Sequence, residues 1–413
     1  MSILAEKYKA VRSMTRSIVA GLSAEDQMVQ SCPEASPVKW HQAHTTWFFE
    51  TFVLQPFRAG YKPFRQEFHR LFNGYCFALG EEIPHRAICA SFSRPPLDEV
   101  QAFRAYVDEE IERLIARFLD EEASRRIVFG LNHEEQHQEL ALTDIKHAFF
   151  TNPLHPSYRD TSLSNARDRA VPKLRWHTFQ AGLIEVGHAA KSDDPLDFCF
   201  ENETPQHSAY LEPFQIANRN VTCREFLEFM SDDAYARPEL WLSDGWDTVR
   251  QTGWQAPLYW ERDPGDTTGW HVFTLRGWHG LSDLLDTPVC HISFYEADAF
   301  ARWRGCRLPS EAEWEFVASQ VPRQGNLLDA GRLHPAVASG EGVEQIFGDC
   351  WEWTASPYTG YPGYKPLPGS MGEFNGKFMS GQMILRGGSC VTPADHARAT
   401  CRNFFRPEMR WQF

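Results

Sequence analysis

The chain has 413 residues, 42% of them apolar and 14% aromatic, which is too long for one ordinary core and suits two folded domains. Its formal net charge of −14 argues against general nucleic-acid or anionic-membrane binding and leaves room only for a local basic pocket. The opening MSILAEKYKAVRSMTRSIVAGL lacks a signal-peptide pattern, no run is long enough to cross a bilayer, and the 10 cysteines are scattered without a C-x-x-C, so reduced thiols in a cytoplasmic protein are expected.

Residues 1–152 read as helical. EKYKAVRSMTRSIVAGL, HQAHTTWFFETFVL, PLDEVQAFRAYVDEEIERLIARFL and GLNHEEQHQELALTDIKHAFF carry apolar residues at helical spacing. SAEDQ offers a Ser N-cap with acids in a first turn, and RPPLDEV sets prolines before a helix start. Four long amphipathic helices imply an up-down bundle. Over 153–174 the periodicity gives way to Pro, Ser, Asn and Arg, a linker composition. Residues 175–413 hold most of the 14 tryptophans, with short apolar runs, one clear helix and a stretch that looks like another. These are SFYEADAFARWRG and PSEAEWEFVAS, the latter with a capping box of Ser310 and Glu313. Long loops around few regular elements suggest an α+β domain held by aromatic packing.

The stretch LNHEEQHQEL reads H-E-x-x-H, the pattern of a zinc protease helix. His133 and His137 are four residues apart, so on a helix both imidazoles reach one ion. The competing reading is two polar residues on a solvated face. The apolar flanks IVFGLN and LALTDIKHAFF make this helix central, and WHQAHTTWFFE sets His41 and His44 in an aromatic stripe on another helix. A histidine there is usually a satisfied core residue; opposite a histidine pair it becomes a third ligand. A protease of this type takes its third ligand downstream, often in H-x-x-G-x-x-H, and nothing after residue 140 supplies it. Three neutral imidazoles suit either zinc hydrolysis or iron(II) chemistry with oxygen, and ligand type alone does not choose.

PVKWHQAHTTWFFETFVL, LFNGYC, HEEQHQE, GDCWEWTASPY and LRGGSC together resemble the EgtB family, the non-haem iron sulfoxide synthases of ergothioneine biosynthesis. The resemblance implies a DinB-like four-helix bundle over 1–152 that carries the metal ligands. It also implies a formylglycine-generating-enzyme-like (FGE-sulfatase, C-type-lectin-like) α+β domain over 175–413 that completes the substrate pocket. It implies iron ligation by His44, His133 and His137, with His41 behind them or in the core. Gln136 then positions the imidazole substrate. Asn403 and Phe404 hold the trimethylammonium and carboxylate end of hercynine, the aromatic face by cation–π attraction. The implied reaction uses Fe(II) and O2 to join hercynine to a thiol as a sulfoxide.

Several positions depart from the family pattern. A tyrosine expected shortly before LRGGS is missing, with Met371 and Phe374 in the corresponding places. The paired tyrosines of another branch are here Tyr75 and Cys76, which makes Tyr75 the candidate proton donor and Cys76 a pocket residue. Phe405 replaces an Asp that contacts the thiol, which favours a different or smaller thiol; cysteine is expected ahead of γ-glutamylcysteine. Arg86 and Arg94 are candidates for the thiol's carboxylate because of the bidentate guanidinium fork. Glu50 and Glu139 are candidates to orient ligand imidazoles. Formylglycine generation itself is not expected, because Cys390 and Cys401 are too far apart in sequence for its reactive pair. In GDCWEWT the tryptophans are expected in the core, with Asp349 capping a loop or binding a structural cation. Two alternatives share the scaffold: a selenoneine synthase coupling hercynine to a selenosugar, and a zinc DinB-type thiol transferase or binding module.

Overall fold

A computed structural model describes all residues except 1, 75–92, 118, 161–162, 164–170, 190–195, 341 and 367–375. The chain divides into two compact units, one built mainly from the first 158 residues and one mainly from those that follow.

The first unit is a helical bundle, as the periodicity predicts. Its long helices are α1 (Ile3–Val19), α2 (Val38–Phe49), α5 (Leu97–Ile115) and α6 (Glu121–Thr151). α2 continues through a π-helical turn (Glu50–Leu54) into the short α3 (Gln55–Phe57), and α4 (Gln66–Leu71) lies in the connection to α5. Such a single π turn re-aims the side chains of an otherwise regular helix and is frequent beside functional sites. α5 starts directly after Pro96, as RPPLDEV suggests. SAEDQ forms only one 3-10 turn (Asp26–Met28) instead of a helix. Ser23 does accept the Asp26 N–H (3.1 Å), but the Pro33 and Pro37 region that follows cannot propagate a helix.

Two features fix how α2 meets its neighbours. Gly130 leaves α6 without a side chain where Phe48 and Phe49 of α2 press in; a Cβ there would lie 2.7 Å from the Phe49 ring. A buried ion network then ties four helices together. Arg12 of α1 donates to Asp108 of α5 (2.6 Å), to Glu134 of α6 (2.7 Å) and to Thr46 of α2 (3.2 Å). Arg104 of α5 also donates to Glu134, and Thr15 of α1 does so at 2.6 Å. Burial alone would raise the Glu134 carboxyl, but the Arg104 and Arg12 guanidiniums outweigh it and hold it at about 2.

The second unit is α+β, with four small antiparallel sheets. β1 (Trp176–Phe179) pairs with β4 (Phe214–Ala217), and β2 (Gly182–Val186) with β3 (His207–Leu211). β5 (Trp260–Arg262), β6 (Trp270–Thr274) and β7 (Gly277–Gly280) form a meander. β9 (Met383–Arg386) lies between β8 (Glu352–Pro357) and β10 (Asn403–Phe405). Its helices are α7 (Cys223–Ser231), α8 (Ser243–Thr252), α9 (Phe294–Trp303) and α10 (Glu311–Ala318). The predicted capping box is present, with Ser310 N–H on the Glu313 carboxylate (2.7 Å) and Glu313 N–H on the Ser310 hydroxyl (3.2 Å).

Aromatic side chains fill this unit's cores: Phe226, Trp241, Trp260, Trp270, Trp351 and Trp353 in one, Trp314 and Phe347 in another. In LRGGS, Arg386 is fully buried, donates to the Thr400 and Cys401 carbonyls (2.8 and 2.9 Å) and pairs with Glu315. Gly387 takes φ 100°, and a Cβ there would meet the Ile346 carbonyl at 2.5 Å, so only glycine fits. Asp349 caps a loop: its Oδ1 accepts from the Asn326 amide and the Ala336 N–H, both at 2.7 Å.

Candidate metal centre

α2 and α6 carry the metal-ligand candidates. His41 and His44 are three apart on α2, and His133 and His137 four apart on α6, so each pair occupies one helix face. With the helices drawn together at Gly130, ligand atoms of His44, His133 and His137 come within 4.8 Å of one another. Among the described residues no other group of this kind forms.

Each ring is held. His44 lies between Trp40, one turn before it, and Trp47, one turn after it, with ring centroids 4.4 and 5.5 Å away and interplanar angles of 10° and 15°. Its Nδ1–H donates to the Phe72 carbonyl (2.7 Å), which leaves the Nε2 lone pair to face outward. Gly74 makes room for that edge: a Cβ there would lie 2.8 Å from His44 Cε1 and 3.3 Å from Nε2. His133 packs against the Phe48 ring at 5.1 Å. Burial, reinforced by the neighbouring His44, keeps it well below the usual histidine range, so it presents a neutral imidazole at physiological pH. His137 Nδ1 lies 2.8 Å from His41 Nδ1, and His41 Nε2 lies 2.9 Å from Asp144 Oδ2.

Glu134 answers the protease question. A residue one step along a helix points about 100° away from its neighbour. Glu134 is drawn off the histidine face into the ion network of Arg12 and Arg104. A carboxylate held at about 2 by two guanidiniums is a poor base, so Glu134 does not serve as the general base of a metalloprotease.

The other candidate residues divide. Gln136, half-buried on the ligand turn of α6, has a buried Oε1 with no hydrogen-bond partner among the described residues. Asn403 and Phe404 lie on β10 of the second unit. The Asn403 Oδ1 accepts from the Phe404 N–H (2.9 Å). The Phe404 ring stacks on Tyr358 at 4.0 Å and 8°, so one of its faces is covered by protein. Arg94 is exposed; Lys39 donates to the carbonyls of Ser93 and Pro95 on either side of it (3.2 and 3.0 Å). Tyr75, Cys76, Arg86, Met371 and Phe374 lie outside the described residues.

Glu50 does not orient a ligand: it accepts from the Tyr61 hydroxyl (2.6 Å) and the Phe64 N–H (2.9 Å). A carboxylate that does reach a candidate ligand is Asp144, through His41. Its only sequence signal is spacing: Asp144 follows His137 by seven residues, two turns along the same face of α6.

Comparison with known proteins agrees with this division of the chain. Residues 7–148 match the DinB superfamily, and residues 175–332 match the sulfatase-modifying factor enzyme 1-like domain. The hercynine oxygenase of Mycolicibacterium smegmatis is 28% identical over 99% of this chain and 96% of its own. That of Mycolicibacterium thermoresistibile is 33% identical over 54% of this chain and 53% of its own. Ergothioneine biosynthesis protein 1 of Schizosaccharomyces pombe is 25% identical over 52% of this chain and 26% of its own. The chain thus joins a DinB superfamily domain to a sulfatase-modifying factor enzyme 1-like domain and is similar, almost end to end, to a hercynine oxygenase.

Proposed function

We propose that the protein is an iron(II)- and O2-dependent sulfoxide synthase that joins hercynine, the Nα-trimethylated betaine of histidine, to cysteine. The observation that carries this reading is the cluster of three imidazoles within 4.8 Å, in a chain similar over nearly its whole length to a hercynine oxygenase. The reaction balances as hercynine C–H plus thiol S–H plus O2 giving a C–S bond, a sulfoxide oxygen and water. O2 takes four electrons: two from forming the C–S bond and two from oxidising the sulfur.

The donor set fits iron(II). All three candidate ligands are neutral nitrogen donors, and none is a thiolate, which would favour a softer or structural metal. When bound, the ion supplies O2 activation and holds both substrates in reach of each other. The chain's own groups do the rest. His44 and His137 present Nε2 because their Nδ1 atoms are engaged elsewhere. Gln136 Oε1 accepts an N–H of the substrate imidazole, which fixes which ring carbon faces the thiol. Asn403 and the Phe404 ring receive the carboxylate and quaternary ammonium of hercynine. Arg86, Arg94 and Cys76 serve the cysteine substrate, the arginines by binding its carboxylate. Tyr75 delivers the proton that directs oxygen toward the sulfoxide and away from simple thiol oxidation.

Oxygen consumption that requires hercynine and cysteine together, with a product of the summed mass plus one oxygen and minus two hydrogens, tests the reading. Cysteine, γ-glutamylcysteine and a selenosugar in competition identify the partner. Uptake absent with every donor, in protein shown to hold iron, would refute the synthase.

A further inference from the structure

Behind the candidate ligands lies a chain of polar groups of which the sulfoxide synthase reading uses only the end, at His137 Nδ1. Ser36 N–H donates to Asp144 Oδ2 (2.8 Å); His41 Nε2 lies 2.9 Å from the same oxygen; His41 Nδ1 lies 2.8 Å from His137 Nδ1. Ser36, His41 and Asp144 are all buried. Two ring nitrogens at 2.8 Å must share one proton, and the network says which carries it. Asp144 Oδ2 is an acceptor, so His41 Nε2 bears a hydrogen. A neutral His41 then has its lone pair on Nδ1 and accepts from His137 Nδ1–H. His137 is left with its lone pair on Nε2. The opposite assignment would set two lone pairs or two hydrogens against each other at one end of the chain, or place an imidazolium in a buried site.

We propose that His41 is a positioning residue: with Asp144 it fixes the Nε2-ligating tautomer and ring rotation of His137, through a carboxylate–imidazole–imidazole relay. A metal-bound histidine commonly donates its other N–H to a carboxylate or carbonyl. His44 does so directly, to the Phe72 carbonyl. His137 does so through a second imidazole, which conveys the orientation of a carboxylate on its own helix seven residues away. The relay also ties the loop before α2 to α6, so the ligand-bearing faces of both helices are set by one carboxylate. Trp40 closes the remaining side, its ring edge-on to His41 (5.8 Å) and stacked on His44.

The proposal rests on His137 being a metal ligand, and the test separates the two. Metal-free full-length protein is titrated anaerobically with Fe(II), and in parallel with Co(II), against a competing chelator. His137→Ala tests the ligand. His41→Phe fills the space of the imidazole but accepts nothing; His41→Asn is smaller but offers an amide oxygen near the position of Nδ1. The relay requires His41→Phe to weaken metal binding by about 10–100-fold and to shift the Co(II) visible bands, with His41→Asn close to the parent in both. A purely packing role gives the reverse order, with Phe better than Asn. Parent-like binding in His41→Phe, or no recovery in His41→Asn, overturns the relay while loss of metal in His137→Ala keeps the centre. Full metal content in His137→Ala overturns the ligand assignment and the relay with it.

Discussion

Replacing Glu134 by Gln tests whether the glutamate of H-E-x-x-H serves the fold or the chemistry. In the native bundle its carboxylate accepts from Arg12 (2.7 Å), Thr15 (2.6 Å) and Arg104, with almost no solvent exposure. The amide of Gln keeps one acceptor and points a donor at a guanidinium. Arg12 retains Asp108. Arg104 loses the one carboxylate it contacts among the described residues. Removing one partner of a buried ion pair costs about 3–5 kcal/mol. The linkage argument agrees: a carboxyl lowered from 4.5 to about 2 contributes about 3 kcal/mol. Because the folded value is the lower one, that contribution is complete above the unfolded value of 4.5 and fades as pH falls toward 2. For a domain of this size the bundle should melt about 6–20 °C lower at pH 7. The difference between parent and variant should narrow as pH is lowered below 4.5. Calorimetry across pH, with metal content measured below the transition, reads both quantities. A variant that melts with the parent but loses turnover while holding its metal would falsify the structural role and restore Glu134 as a base.

Gly74→Ala places a methyl 2.8 Å from His44 Cε1, against a ring that Trp40, Trp47 and the Phe72 carbonyl keep from moving. Strain of about 1–3 kcal/mol should appear as roughly 10-fold weaker Fe(II) binding in the chelator competition; parent-like affinity would show that the loop yields instead. Asp349→Asn should stabilise the second unit by about 1–3 kcal/mol at pH 7. Burial raises the Asp349 carboxyl from 3.8 to about 6, so the native residue's favourable contribution exists below 3.8 and is lost as pH rises through 6. Asn keeps the acceptor, tolerates the positive φ of 58° and carries no charge; a loss of stability reversed by added divalent cation would instead identify a metal site. Tyr75→Phe should shift product from sulfoxide toward oxidised cysteine, measured by mass spectrometry, and an unchanged ratio would move the proton to another donor.

The bundle was legible because its signals are local and periodic. Apolar spacing marks the four long helices, and an i, i+4 histidine pair needs only helical geometry to converge. The capping box at Ser310 is equally local. What could not be read depends on partners distant in sequence. SAEDQ has the letters of a helix start, yet only one turn follows, because the next apolar run belongs to the entry into α2. Glu50 follows the histidine stripe closely, but the π turn it opens directs it to Tyr61 and Phe64. The second unit's strands are 3–6 residues long, too short for alternation to declare register, so its four sheets had no signature beyond aromatic density. Phe404 was read only as a pocket residue, while its stack on Tyr358 shows that it also packs the fold.

The same five-residue pattern thus carries two unrelated tasks, and the neighbouring helices keep them apart. His133 and His137 differ by about 40° around α6, whereas Glu134 is turned about 100° from His133. In a protease helix the space beside the glutamate is left to solvent and substrate. Here α1 and α5 occupy it with Arg12 and Arg104, and the glutamate becomes the centre of the ion network that joins four helices. The orienting carboxylate is then supplied from farther along the helix, by Asp144, at seven residues' spacing and through a histidine of α2. The pattern alone predicts that a metal can bind; the charges on the neighbouring helices decide whether its glutamate is available for proton transfer. In this bundle they withhold it, which argues against a water activated by this glutamate.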